Sequence, residues 1–373
     1  METRPQVHSS PATDHSVEHV FAPRVVKGVT ILICTYNGAN RLPETLRHVA
    51  GQQVSSDIPW EVLVVSNASQ DDTLIAAPRL WAAIQCTAPL RVLDEPMPGK
   101  ENALVRGFDA ANYEYICIVD DDNWLYPDYV TQVMGLMGAH PEIGILGAQA
   151  EGAFEIPPPA WFERFQAVYA VGPQAAQNGP LNAPDAYLYG AGSVVRRSGW
   201  QHLRANGFAF STSTKRGKII VSGEDVELGD ALRLAGYSLW YDERLRLRHY
   251  MYKERLTWEY LKRIGQGTAS SGLTSLVYYF LHRTPDLDTA GFRRNYYRWL
   301  VWLSWQHLRQ PKQLVVYLMQ RHNELAPDTF DSLRMLYRLR MGLTRWKEAL
   351  RIFKRVKMLQ LNLQAHPAPI ARL

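Results

Sequence analysis

Short unbroken apolar runs alternate along this chain with longer stretches in which apolar residues recur every three or four positions. VVKGVTILICT (25–35), WEVLVV (60–65) and the run Ile116-Cys117-Ile118-Val119 are the pattern of strands covered on both faces. Between them, residues 40–53 place Leu42, Leu46 and Val49 at helical spacing, and 73–85 and 99–112 also predict helices, with a short strand at 90–93. Strand and helix continue to alternate further on. Residues 128–139 and 224–235 predict helices, 143–148 and 237–241 predict strands, and 187–196 pairs a Gly-rich bend with a strand. The alternation implies parallel βαβ units in an α/β fold. The composition of residues 166–184 is that of a loop, and Pro157-Pro158-Pro159 makes a stiff break before it.

Three of these strands end in polar residues: Thr35-Tyr36-Asn37-Gly38, then Ser66-Asn67-Ala68-Ser69-Gln70-Asp71-Asp72-Thr73, then Asp120-Asp121-Asp122-Asn123-Trp124. In an open parallel sheet such ends line one crevice. Three adjacent carboxylates raise one another's pKa unless a cation sits among them, and oxygen ligands of this kind suit Mg²⁺ or Mn²⁺ completed by phosphate and water. An acidic helix cap is the plain alternative for the same residues.

Composition changes this picture in two places. Cys34, Cys86 and Cys117 show no metal-site spacing, and Cys34 and Cys117 lie inside apolar runs, as small core residues do in a reducing compartment. The net charge of +5 is the balance of two unlike parts: 17 Lys/Arg against 28 Asp/Glu through residue 243, and 24 against 8 from residue 244. Residues 1–27, rich in His, Ser and Pro, contain no apolar signal-like segment and are predicted to be disordered. No window is long and apolar enough to span a bilayer. The expected location is the cytoplasm, peripheral at the inner face of the cytoplasmic membrane.

The motifs, taken in order, resemble the family 2 glycosyltransferases of GT-A fold. They are Ile33-Cys34-Thr35-Tyr36-Asn37, the segment 67–73, Gly99-Lys100 before Ala103-Leu104, Asp120-Asp121-Asp122, Gly190-Ala191-Gly192, Gly223-Glu224-Asp225-Val226-Glu227-Leu228, and His249. The match covers roughly residues 29–258. Within the family, Asp121-Asp122-Asn123-Trp124 and Gly190-Ala191-Gly192 faintly resemble the hormogonium-polysaccharide enzymes.

The resemblance implies a GT-A domain over 28–258, a mostly parallel sheet flanked by helices, with a basic helical region over 259–373. It implies an inverting, metal-dependent transfer of a sugar from a nucleotide-sugar to a glycan or lipid-linked glycan in polysaccharide assembly. Thr35, Tyr36, Asn37, Asn67, Asp71, Lys100, Asp120 and Asp121 would hold the donor nucleotide, with Tyr36 available to stack on the base. Where the family usually has an Asp that reads the base, this chain has Ser66 followed by Asn67. Asp122 and Asp120, with His249, would hold the metal, and Gly190, Ala191 and Gly192 would let backbone approach the sugar or acceptor. Asp225 is the expected general base and Glu224 its runner-up. Two rivals are a sugar-nucleotide nucleotidyltransferase, whose Gly- and Arg/Lys-rich loop is lacking at 35–41, and a catalytically silent glycan- or membrane-binding module.

The last third interleaves Arg with aromatics over 293–305. Leu336, Leu339, Leu343, Trp346, Leu350 and Phe353 form one helical stripe opposite Arg338, Arg345, Lys347, Arg351, Lys354 and Arg355. A basic amphipathic helix of this kind suits an anionic membrane surface, although packing on the catalytic domain is the common alternative. No nucleic-acid-binding motif is present. Asn295-Tyr296-Tyr297-Arg298-Trp299 resembles the Gln-x-x-Arg-Trp motif of processive synthases. It lies over seventy residues beyond Asp225 in a chain without spanning segments, so it is read as a chance match and single-sugar transfer is expected.

Overall fold

The structure, a computed structural model, describes residues 26–211, 215–216, 219–220, 223–309 and 327–368. Nearly all of the segment expected to be disordered lies outside these residues. Four strands and three helices follow in strict alternation before the acidic turn: β1 (Val26–Thr35), α1 (Leu42–Ala50), β2 (Trp60–Asn67), α2 (Thr73–Ile84), β3 (Leu90–Glu95), α3 (Lys100–Ala110) and β4 (Tyr113–Asp120); past the turn comes β5 (Asn123–Leu125). Then come α4 (Tyr129–Ala139), β6 (Ile143–Phe154), the single turn α5 (Phe162–Phe165), β7 (Gly179–Pro180), β8 (Val194–Arg196) and α6 (Arg197–Ala205). A two-residue ribbon, β9 (Lys215–Arg216) and β10 (Ile219–Ile220), precedes α7 (Glu224–Leu234), β11 (Ser238–Met251) and α8 (Trp258–Arg283). The helices α9 (Thr289–Leu308), α10 (Pro327–Thr344) and α11 (Trp346–Ala365) complete the described chain.

The main sheet runs β3-β2-β1-β4-β8-β6-β11-β5, with β7 beside β11. Strands β3, β2, β1 and β4 are parallel, and β6 and β11 run the same way because β8 lies antiparallel between β4 and β6. This is the expected α/β architecture with a mostly parallel sheet. Its strands read as unbroken apolar runs because both faces are covered. Leu32, Leu63, Ile116 and Ile118 join α3, α6 and α7 on one side, while Ile31, Ile33, Val62, Val64 and Val119 join α1, α2 and α4 on the other. The strand order reverses direction between β1 and β4, where Cys34 pairs with Asp120, so the crevice expected of an open α/β sheet opens between Thr35 and Asp120.

Over 187–196 the chain turns around Gly192, whose φ of +68° suits glycine and whose hypothetical Cβ would meet Leu247 at 2.0 Å, and then enters β8, the bend and strand expected there. Two expectations are corrected. The strand at 237–241 is the start of a 14-residue β11, which continues with Leu245, Leu247 and His249 alternating inward between exposed Arg246 and Arg248. The stripe from Leu336 to Phe353 is not one helix face. The helix breaks at Arg345, Leu343 is 61% exposed, and from Trp346 onward the apolar face packs on the protein itself. Phe353 is buried and stacks on Phe292 of α9 at 4.3 Å, in the same core cluster as Leu32 and Ile118 of the sheet. On that part of the stripe the packing alternative holds. Among the described residues no helix is long and apolar enough to cross a membrane.

Candidate active site

The strand ends open into a cavity of about 2380 Å³. Its walls include Thr35, Tyr36, Asn67, Lys100, Asp120, Asp121, Asp122, Gly190, Ala191, Glu224, Asp225 and His249, most of the residues singled out in the sequence. Asn37, Asp71 and Gly192 are not in the wall. Asn37, at φ +50°, accepts from the Gln70 amide at 2.7 Å and donates its own amide to Ser69 Oγ at 3.0 Å. Asp71 accepts from the Ala39 amide at 3.1 Å and from the Thr73 hydroxyl. These two residues tie the loop after β1 to the loop after β2, and Gly192 makes the turn behind the wall.

Each of the three consecutive carboxylates has its own cation. Asp120 takes Lys100 Nζ at 2.6 Å, Asp121 takes both Arg41 Nε at 2.9 Å and Nη2 at 2.8 Å, and Asp122 takes Arg255 at 2.7 Å. The repulsion expected among them is therefore answered by the chain itself. Asp121 is the most fully bound: it also accepts from the Thr35 hydroxyl, and its main-chain oxygen accepts from Thr45 Oγ1 at 2.8 Å. That arrangement fixes the turn between β4 and β5. Trp124 anchors the turn from outside, stacked between His48 and Tyr250.

Asp122 is buried, which alone would favour its neutral form. Arg255 and His249 nevertheless hold its carboxyl well below the usual range. His249, on β11, places Nε2 3.4 Å from Asp122 Oδ1, while its Nδ1 is buried without a hydrogen-bond partner among the described residues. Asp120 is turned instead toward Lys100, whose ammonium also lies 3.9 Å from Glu224. Among the described residues no group of three or more His, Cys, Asp or Glu side chains is placed to hold a metal by itself.

Across the cavity, Gly223 (φ +131°) delivers the chain into α7, so that Glu224 and Asp225 stand at the helix N-terminus. Asp225 accepts from the Gly190 amide at 2.7 Å and from the Val226 amide at 2.9 Å. A Cβ on residue 190 would crowd Asp225 at 3.1 Å, which explains the glycine there. Glu224 is more deeply buried; burial pushes its carboxyl up to about 7, against the attraction of Lys100. Burial raises Asp225 as well. Cys34 also touches the cavity, but burial pushes its thiol up to about 12, which leaves it inert as a nucleophile at neutral pH. Asn67 clamps the approach to α3, donating to Met97 O at 2.7 Å and accepting from the Gly99 amide at 2.8 Å. Tyr36 is 48% exposed in the wall.

Residues 30–203 match the model of glycosyl transferase family 2. The chain carries a family 2 glycosyltransferase domain. EpsH of Bacillus subtilis (strain 168), described as a glycosyltransferase, is 24% identical over 124 residues, about a third of each chain. Among solved structures, the mannosyltransferase PcManGT of Pyrobaculum calidifontis, in complex with GDP-Man and Mn²⁺, superposes with a TM-score of 0.50 at 17% identity, covering 92% of this chain and 86% of that one. S. aureus TarS 1-349 gives a TM-score of 0.47 at 15% identity, covering 86% and 91%.

The sequence motifs missed two groups. Arg41 and Arg255, the partners of Asp121 and Asp122, carry no motif signal because each meets its carboxylate only through the fold. The Asn295-Tyr296-Tyr297-Arg298-Trp299 segment, read as a chance match, places Asn295, Arg298 and Trp299 in the wall of the same cavity as Asp225. The 26-residue α8 spans the intervening sequence and brings α9 back to the site.

Proposed function

We propose that this glycosyltransferase inverts configuration, uses Mg²⁺ or Mn²⁺, and moves a sugar from a nucleotide-sugar to a hydroxyl of a glycan or lipid-linked glycan in polysaccharide biosynthesis at the cytoplasmic face of an anionic membrane. The observation that carries this reading is Asp225, aimed by the Gly190 amide into the cavity that the strand-end carboxylates line.

Asp225 accepts the proton of the acceptor hydroxyl as that oxygen attacks the anomeric carbon from the face opposite the diphosphate. The new C–O bond forms as the bond to the diphosphate breaks, and the nucleoside diphosphate departs with the electron pair. One displacement inverts the centre and needs no protein nucleophile. Lys100 stands where leaving-group charge develops, and Arg255 can turn from Asp122 to a phosphate at little cost because one charge-assisted pair replaces another. Tyr36 and Asn67 border the nucleotide end.

Asp122 and His249 fit a metal as one carboxylate and one imidazole, with diphosphate oxygens and waters completing the shell, and Asp120 lies beside them. A divalent ion there stabilises the charge on the departing diphosphate. The Pyrobaculum fold neighbour, solved with GDP-Man and Mn²⁺, holds a ligand set of the proposed class.

Nucleoside diphosphate release from a panel of nucleotide-sugars, with and without chelator, tests the reading. Turnover of one donor that stops with chelator is expected. Asp225→Asn should lower kcat by about 10²- to 10⁴-fold while leaving nucleotide affinity in place, the loss that removal of a general base brings. Turnover unchanged in Asp225→Asn overturns the assignment of the base, and turnover unchanged by chelator overturns the metal.

A further inference from the structure

The cavity is larger than one nucleotide-sugar requires: small-molecule sites occupy about 300–1,000 Å³, against about 2380 Å³ here. Its lining also changes sign along its length. The half built from strand ends and α7 carries the carboxylates. From Tyr260 onward, among the described residues, the lining contains Arg263, Arg283, Arg298, Arg334 and Arg338 and no Asp or Glu. These five come from three successive helices, α8, α9 and α10. Arg334 has Asp331 at 3.7 Å, and Arg283 has the Tyr279 hydroxyl at 2.9 Å. Among the described residues, Arg263, Arg298 and Arg338 have no carboxylate partner. Of the five, only Arg334 has a carboxylate partner among the described residues, and a wall that gathers this many like charges favours an anion.

Resting on the glycosyltransferase reading, we propose that this arginine lobe is the acceptor subsite, and that it binds a phosphate group carried by the acceptor while the acceptor hydroxyl reaches Asp225. The donor's own diphosphate does not account for it, since Lys100 and Arg255 already serve the carboxylate end. Beside the lobe, α9 exposes Val301 (69%), Trp302 (51%) and Trp305 (48%), and Trp302 also lines the cavity. An apolar surface continuous with a phosphate-binding wall favours a phosphate borne on a lipid over one within a water-soluble glycan.

Calorimetry on the full chain tests this, with Mn²⁺ and saturating UDP or GDP occupying the donor end. The probes are geranylgeranyl diphosphate in neutral detergent micelles, a poly(glycerol phosphate) oligomer, and geranylgeraniol as the uncharged control. A phosphate probe is expected to bind alongside the nucleotide, and Arg338→Gln and Arg334→Gln each to weaken it roughly tenfold or more, with Arg338→Lys recovering part of the loss. Circular dichroism and nucleotide affinity unchanged in these variants exclude misfolding. Binding of the lipid diphosphate identifies a lipid-linked acceptor, and binding of the oligomer alone a phosphate-containing glycan; either supports the lobe. Equal affinity of the variants and the native chain, binding of the uncharged control alone, or no binding of either phosphate probe overturns it. Failure of every nucleoside diphosphate to bind overturns the donor-site reading separately, and the dependence on Arg338 still decides the lobe.

Discussion

Asp120, Asp121 and Asp122 are neighbours in sequence but do three different things. Asp121 is saturated by Arg41 and Thr35 and holds the turn, Asp120 faces Lys100, and Asp122 alone lies against an imidazole. Asp122→Asn should therefore abolish chelator-sensitive turnover, with some loss of Tm because Arg255 loses its partner. Asp121→Asn should lower Tm, because Arg41 is left without its bidentate partner, while the turnover that remains stays chelator-sensitive; thermal melts and donor turnover on both variants separate the roles. Glu224 supplies a pH signature. Its carboxyl titrates near 7 in the folded protein and at its ordinary 4.5 when unfolded, so between those values the native state holds more protons. The stability from this group is present below about pH 4.5 and is lost as pH rises through about 7. Native Tm should fall from pH 5 to pH 8 more steeply than that of Glu224→Gln; parallel curves would refute the assignment.

The elements were legible in the sequence in proportion to how local their causes are. β1, β2 and β4 announce themselves because a strand covered on both faces has no polar position to break the run, and the carboxylates at their ends followed from the same logic. The second part of β11 alternates and is held between β6 and three residues of β5, partners no local pattern reveals. The last helices were misread for a related reason. An amphipathic stripe states that one face is apolar but not what covers it, and here α8 and α9 do. Phe353, 2% exposed against Phe292, makes this measurable: Phe353→Ala should cost about 3–5 kcal/mol in denaturant unfolding, the range for a truncated core aromatic. A free amphipathic helix would lose almost nothing. Arg41 and Arg255 mark the limit of reading sites from sequence, since a guanidinium acquires its role from a carboxylate about 80 or more positions away.

At the scale of the whole molecule, the opposed charges of the two parts take on a spatial meaning. The acidic part builds the catalytic end of the cavity, and much of the basic excess lines its far lobe or lies on the helices around it. With the α11 face buried, the membrane-facing role proposed for this region falls to α9, where Val301, Trp305 and Leu308 are exposed beside Arg309, itself packed on Trp305 at 4.3 Å. Aromatic and basic residues together suit the headgroup layer of an anionic bilayer, the aromatic ring at the interface and the cation on the lipid phosphate. The native chain should sediment with vesicles containing phosphatidylglycerol and much less with phosphatidylcholine alone, and about 0.5 M salt should release a large part of it, because screening weakens the ionic share. Val301→Ser with Trp305→Ser should reduce binding at low salt while leaving turnover of a soluble acceptor unchanged, since neither residue touches the cavity. Sedimentation that ignores both lipid charge and these substitutions would remove α9 from the membrane and leave its aromatics to a protein partner.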